Sequence, residues 1–150
     1  MRPYVNALTA RKLRATAIDL PVGKAERAVP IFAKQVPAGS IAGGHSYGGR
    51  VASMTALDVP YAALILLSYP LHRPGHPEDL RTEHWPRISS PVLLLSGESD
   101  PFARVDLLRA SVRLLPHAEL ITFPRVGHGL LSVVNEAMDQ VASFVRKLRV

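Results

Sequence analysis

A chain of 150 residues, 47% of them hydrophobic, has room for one domain with one sizeable core and excludes two domains of ordinary size. The lack of cysteine excludes disulfides and thiolate metal sites and gives no sign of secretion. Eighteen Lys and Arg against twelve Asp and Glu give a net charge of +6, a balance that raises nucleic acid as a partner.

The charge distribution argues against that partner. The basic residues are scattered, and the two small clusters (Arg11, Lys12, Arg14 and Arg146, Lys147, Arg149) have no interleaved aromatic side chains on which bases would stack. They read as solvated faces. Arg11, Lys12 and Arg14 also interrupt the stretch where a signal peptide needs an apolar run. The longest apolar run, residues 61–67, is strand-sized, so no membrane association is expected. A soluble cytoplasmic protein is the expectation.

In chain order, a helix is predicted over 3–13 and a strand over 15–20, closed by Pro21 and Gly23. A helix over 25–36 follows, which Pro30 should kink or restart. Residues 40–44 form a short strand and 47–57 a helix rich in small residues. The run 62–67 is a continuous apolar strand of the kind buried on both faces of a parallel sheet, and 92–96 is another. Helix 104–115 repeats Val105, Leu108, Val112 and Leu115 at three- and four-residue spacing. A last strand covers 119–123, and a closing helix over 132–148 carries Val134, Met138, Val141, Val145 and Leu148 on one stripe. Between them, residues 68–90 form a long irregular stretch holding Pro70, Pro74, Gly75, Pro77 and Pro86. Five strands alternating with helices predict a single domain, a three-layer α/β/α sandwich around a mainly parallel sheet with right-handed crossovers.

In such sheets ligands bind beyond the carboxyl ends of the strands, and three of those ends carry a serine, an aspartate and a histidine in that order. The first is Gly43-Gly44-His45-Ser46-Tyr47-Gly48-Gly49. Its core, Gly44-x-Ser46-x-Gly48, is a nucleophile elbow, a strand-to-helix turn so tight that glycine is expected on both sides of the serine. The helix N-terminus behind it places the Tyr47 N–H to receive a developing oxyanion. The bland alternative is a glycine-rich turn with a capping serine. The second end, Gly97-Glu98-Ser99-Asp100-Pro101-Phe102, offers Asp100 as the acid. Asp before Pro is also an N-cap signature, and Glu98 is the competing carboxylate. The third, Val126-Gly127-His128-Gly129, brings His128 after the last strand, where flanking glycines are expected to keep its loop compact. Order and placement make Ser46, Asp100 and His128 a candidate triad.

These three turns resemble the α/β-hydrolase superfamily, in particular its small cap-less members similar to dienelactone hydrolase. The segment 68–84, SYPLHRPGHPEDLRTEH, is similar to a branch that includes the testis-expressed hydrolase-like proteins and the hydrolase-like part of an NSL histone-acetyltransferase subunit. The resemblance implies an N-terminally shortened version of the fold, serine esterase chemistry on a small-molecule acyl substrate, and no cofactor. It implies that Met1 falls inside the helix after the third of eight strands, so that residues 15–20 are the fourth strand and the first three are absent. The loop after that third strand supplies a second oxyanion donor in the family. Its loss costs about a hundred- to a thousandfold in rate.

Residues 15–20 are then expected to close directly against 40–44 as the outer edge of a five-stranded sheet. That edge is also a possible route to a homodimer. His45 and His72 are candidate substrate-side residues, His72 as a wall or rim of the cleft. His72, His76 and His84, with Glu78, Asp79 and Glu83 nearby, match no zinc spacing and are not expected to bind metal. Trp85 reads as a packing anchor for the long loop ahead of a substrate platform. The competing functional reading is a catalytically weak or inactive hydrolase-like interaction module.

Overall fold

The computed structural model describes residues 1–148, and Arg149 of the second basic cluster lies outside them. Helix α1 (Arg2–Ala10) is followed by an irregular stretch, α2 (Ala25–Gln35), β1 (Ile41–His45), α3 (Tyr47–Thr55) and β2 (Ala63–Leu67). The long loop after β2 holds a 3-10 turn at Trp85–Arg87 and leads to β3 (Val92–Gly97). Helix α4 (Val105–Ser111), β4 (Ala118–Phe123) and α5 (Val134–Leu148) complete the chain.

The strands form one parallel sheet in the order β1-β2-β3-β4. Side chains alternate across it with period two. Leu64, Leu66, Val92 and Leu94 face a core built with α2, α3 and Leu108 of α4. Ala63, Leu67, Leu93 and Leu95 face a second core with Tyr4 of α1 and Met138, Val141 and Phe144 of α5. This is why β2 and β3 read as unbroken apolar runs: both faces are covered by helices. The result is the α/β/α sandwich. His45 pairs with Leu67 and Leu67 with Leu95, while β3 and β4 run two residues further to Gly97 opposite Phe123. The carboxyl ends of all four strands thus open on one side of the sheet.

The sheet has four strands among the described residues, where five were expected. Residues 15–20 are irregular. Ile18 and Leu20 pack against the α2–α3 core, but Ala15, Ala17 and Asp19 offer little to bury on the opposite side, and the segment joins no ladder. The edge strand is therefore β1, with Ile41 41% exposed. Pro30 does not break α2, which runs through it; its ring removes one N–H on an exposed face. Helix α1 stops short of the expected end because Lys12 turns left-handed, at φ 62°. In the first basic cluster Arg11 is bound to Asp139 of α5 at 2.7 Å, so it ties α1 to α5.

The Tyr4 hydroxyl accepts the N–H of Leu130 at 3.1 Å in a buried position, joining α1 to the loop after β4. Tyr4→Phe strands that N–H, and urea denaturation is expected to show a loss of about 1–3 kcal/mol.

Candidate active site

Ser46 sits between the last residue of β1 and the first of α3, with φ 52° and ψ −119°. A non-glycine residue in that region typically carries about 1–3 kcal/mol of strain. The surroundings hold it there. Its N–H donates to the Leu67 carbonyl at 2.8 Å, and its carbonyl accepts the Arg50 N–H at 3.1 Å. Gly44 is sterically obligatory, since a Cβ there would lie 2.5 Å from the Gly48 carbonyl carbon. Gly48 is not: a Cβ on it meets nothing within 4 Å. The expectation of a glycine requirement on both sides of the serine thus holds on one side only.

The loops beyond β3 and β4 meet above Gly97. A Cβ on Gly97 would collide with the carbonyl oxygens of Val126 and Gly127, so only glycine lets the second loop lie on the first. The Ser99 N–H donates to the Val126 carbonyl at 2.9 Å across the same junction. By contrast, Gly127 and Gly129 have open space where a Cβ would stand. The compactness expected from the glycines beside His128 comes from Gly97 instead.

This junction brings Asp100 and His128 together. The His128 Nδ1–H donates to Asp100 Oδ2 at 2.8 Å, and Nε2 lies 2.7 Å from Ser46 Oγ. Asp100 has a fully buried side chain, and its other oxygen accepts the Phe102 N–H at 2.8 Å. That oxygen is held by backbone, so the carboxylate cannot swing away from the imidazole. With Nδ1 as the donor, Nε2 presents its lone pair to the serine hydroxyl. The Phe102 ring lies 4.4 Å from the imidazole, centroid to centroid. Glu98 is engaged elsewhere, accepting the Thr122 hydroxyl at 2.8 Å and facing Arg109.

His45 points to the other face of the sheet. Its ring stacks on Tyr4, and its Nε2–H donates to the His128 carbonyl at 3.2 Å. Burial holds its pKa below the ordinary histidine value, opposed by that hydrogen bond. Tyr47 opens α3, where helix geometry leaves its N–H without an intrahelical acceptor; its hydroxyl donates to the Pro21 carbonyl at 2.9 Å. A cleft of about 760 Å³ lies in front of Ser46, bounded by Tyr47, Pro70 and Phe102.

His72, expected at the rim of that cleft, is buried, 1% exposed, and does not line it. Its Nδ1–H donates to the Arg73 carbonyl at 2.8 Å, and its Nε2 accepts the Arg104 N–H at 3.1 Å. It pins the loop after β2 to the loop that carries Asp100. His76 pairs with Glu78 on the surface, and His84 meets Ser53 of α3 at 2.8 Å, so the three histidines serve three separate places. Trp85 is fully buried, edge-on to Tyr69 at 5.0 Å, and anchors the long loop.

Several charged residues at the cleft escaped the sequence reading, among them Arg50 and Arg81. A signal for Arg50 was present, since a residue four after the serine shares its helix face. None marks Arg81, which reaches the cleft only through the folding of the long loop.

A family model described as an alpha/beta hydrolase domain matches residues 4–146. The chain belongs to that family. A monoacylglycerol lipase from Paleococcus ferrophilus superposes with a TM-score of 0.80 at 14% identity, covering 97% of this chain and 88% of its own. A thermophilic esterase from Thermogutta terrifontis gives 0.73 at 16%, covering 99% and 86%. Esterase PE8 gives 0.63 at 22%, covering 86% and 68%. At these identities the likeness is one of fold. No helix among the described residues is long and apolar enough to cross a membrane.

His84 makes the long loop sensitive to pH. Burial, with the charges of Arg50 and Arg87, brings its pKa down to about 4 from 6.5. The unfolded chain therefore binds this proton more tightly than the folded one. Stability is retained above pH 6.5 and lost as pH falls from there towards 4. In urea titrations at pH 7 and 4.5, His84→Gln should lose less stability on acidification than the wild type.

Proposed function

We propose that the protein is a serine hydrolase that cleaves an ester or related acyl bond of a small molecule through an acyl-serine intermediate. The observation that carries this reading is the chain of two short hydrogen bonds, Ser46 Oγ to His128 Nε2 at 2.7 Å and His128 Nδ1 to Asp100 at 2.8 Å. The family and the esterase and lipase folds it resembles agree with it. So does the cleft, whose volume falls in the range of small-molecule sites.

In this reading Ser46 Oγ bonds to the acyl carbon while His128 Nε2 takes its proton. The carbonyl electron pair moves onto oxygen, where the Tyr47 N–H donates to it. Collapse breaks the bond to the leaving alcohol, which departs with the proton from His128. Water then attacks the acyl-serine by the same route: His128 takes a proton from the water and returns it to Ser46. Asp100 keeps Nδ1 protonated and stabilises the imidazolium without itself taking the proton. A second N–H in the oxyanion position would add about a hundred- to a thousandfold. The helix-terminal donor at Tyr47 is the one the described residues supply next to Ser46 in sequence.

A fluorophosphonate probe should label the pure protein on Ser46, and Ser46→Ala should abolish labelling. Labelling of the mutant at the wild-type level removes the proposal. An unlabelled wild type favours the interaction-module reading.

The two carboxylates should separate by role. Asp100→Asn is expected to lower kcat for p-nitrophenyl butyrate by about 10⁴-fold, since the amide favours the wrong imidazole tautomer. Glu98→Gln leaves the Asp100–His128 bond in place and should change kcat little. The reverse order would make Glu98 the acid.

A further inference from the structure

The cleft in front of Ser46 has a strongly basic wall. Lys24, Arg27, Arg50 and Arg81 line it, against a single carboxylate, Glu26. Four of the chain's eighteen Lys and Arg thus gather around one cavity.

Two of the four stand at its inner end. Arg50 lies four residues after Ser46, one turn along the same face of α3 and about 6 Å down its axis. Arg81 arrives from the long loop after β2. The two also border a second cavity of about 390 Å³, which shares Glu26 with the first and is lined further by Asp58, Glu83 and Arg87. Arg50 and Arg81 therefore stand where the two spaces meet.

Their charges are poorly matched within the protein. Arg50 meets Glu26 at 3.7 Å, with the Glu26 side chain 60% exposed, and such a partner contributes little. The Arg50 Nε is buried without a hydrogen-bond acceptor. Arg81 reaches the Pro70 carbonyl at 3.5 Å, the outer limit of a hydrogen bond. Burial, and then the charge of Arg50, hold the Arg81 guanidinium below its ordinary value. The two guanidiniums stand close enough to repel each other, and one has an unused buried donor. Planar forks of this kind bind carboxylate or phosphate oxygens two at a time.

We infer that Arg50 and Arg81 form an anion subsite, and that the substrate is an acyl ester carrying a carboxylate or phosphate a few bonds from the scissile carbonyl. This rests on the hydrolase reading for the scissile bond, but the binding of the anion does not. The anionic group fills the junction of the two cavities and accepts from both guanidiniums, and the carbonyl then lies over Ser46. Glu26, with Asp58 and Glu83 on the second cavity, repels an anionic substrate less than the four bases and Arg87 attract it.

The test measures binding without turnover. Calorimetry on Ser46→Ala protein compares mono-p-nitrophenyl glutarate with p-nitrophenyl butyrate, a neutral ester. The anionic ester should bind at least tenfold tighter. Adding Arg50→Gln or Arg81→Gln should each reduce that preference by about tenfold or more, the scale of a hydrogen bond to a charged group. Arg113→Gln, an exposed site outside the cleft with the same change of net charge, should leave the preference intact. Equal binding of the two esters, or a preference that survives both cleft substitutions, overturns the subsite, and labelling of Ser46 by fluorophosphonate is then unaffected. Absent labelling with the anion preference intact removes the hydrolase reading and leaves the subsite standing. Competition with glutarate and inorganic phosphate distinguishes the two anions by which displaces the ester at lower concentration. Displacement by neither overturns the subsite.

Discussion

The contact on which the site depends is backbone against backbone, where the loop after β4 rests on Gly97 at the end of β3. No side chain larger than hydrogen fits between them. Because the loops touch there, Asp100 and His128, 28 residues apart in the chain, are held at hydrogen-bond distance. The register of the sheet does the rest. β3 and β4 extend two residues past the point level with the end of β1. The imidazole therefore comes from above the sheet and meets a serine rising from it. Strain is concentrated in the same layer. Ser46 after β1, Ser68 after β2 and Arg125 after β4 all have positive φ. Ser46 and Ser68 each donate their N–H to a carbonyl near the end of the neighbouring strand, those of Leu67 and Leu95. The packed sheet below, nearly all of it fully buried in β2 and β3, is the rigid element that makes such local cost bearable.

The two helical layers have different tasks. On the α1–α5 side, Tyr4 accepts from Leu130 and His45 donates to the carbonyl of His128. Both contacts reach the histidine loop through its backbone, from behind, and leave Nε2 free for the serine. On the α2–α3 side, His72, Ser53 with His84, and Trp85 bind the long loop to the rest of the protein. That loop, without a regular strand or α-helix of its own, forms a wall of the cleft. His72 and His84 make two of its polar contacts, and burial with adjacent positive charge brings the His84 pKa down to about 4.

Most of this organisation was readable in the chain because it is local. A strand covered on both faces leaves an unbroken apolar run, and an elbow leaves glycine, serine and glycine in fixed order. Asp100 and His128 drew attention by their positions after strands, and the fold brings them within hydrogen-bond distance of each other. What failed to show was set by tertiary contacts. Residues 15–20 alternate acceptably for a strand, but a strand is a pairing, and no ladder partner receives this one. His72 follows a strand end as a cleft residue would, and only the arrival of the 99–104 loop buries it. Gly127 and Gly129 drew attention to the histidine turn, while the glycine that shapes it, Gly97, lies thirty residues earlier at the end of another strand. A close backbone approach spends its glycine on whichever partner is underneath, and sequence proximity to the functional residue does not say which.

The basic composition takes on a different sense once the chain is folded. A net charge of +6 on a small domain invites a search for an extended polyanion, and the clusters near the two ends of the chain are where a linear reading looks first. Arg11 of the first is bound to Asp139 and Lys147 of the second faces Glu119, so both are partly spent on the protein itself. A concentration of four bases lies at the cleft, assembled from the start of α2, α3 and the loop after β2. A concave basic surface with low-dielectric walls focuses its field on one small volume. Arg50, one helical turn from Ser46, ties that charge to the same strand end that carries the serine bonded to His128.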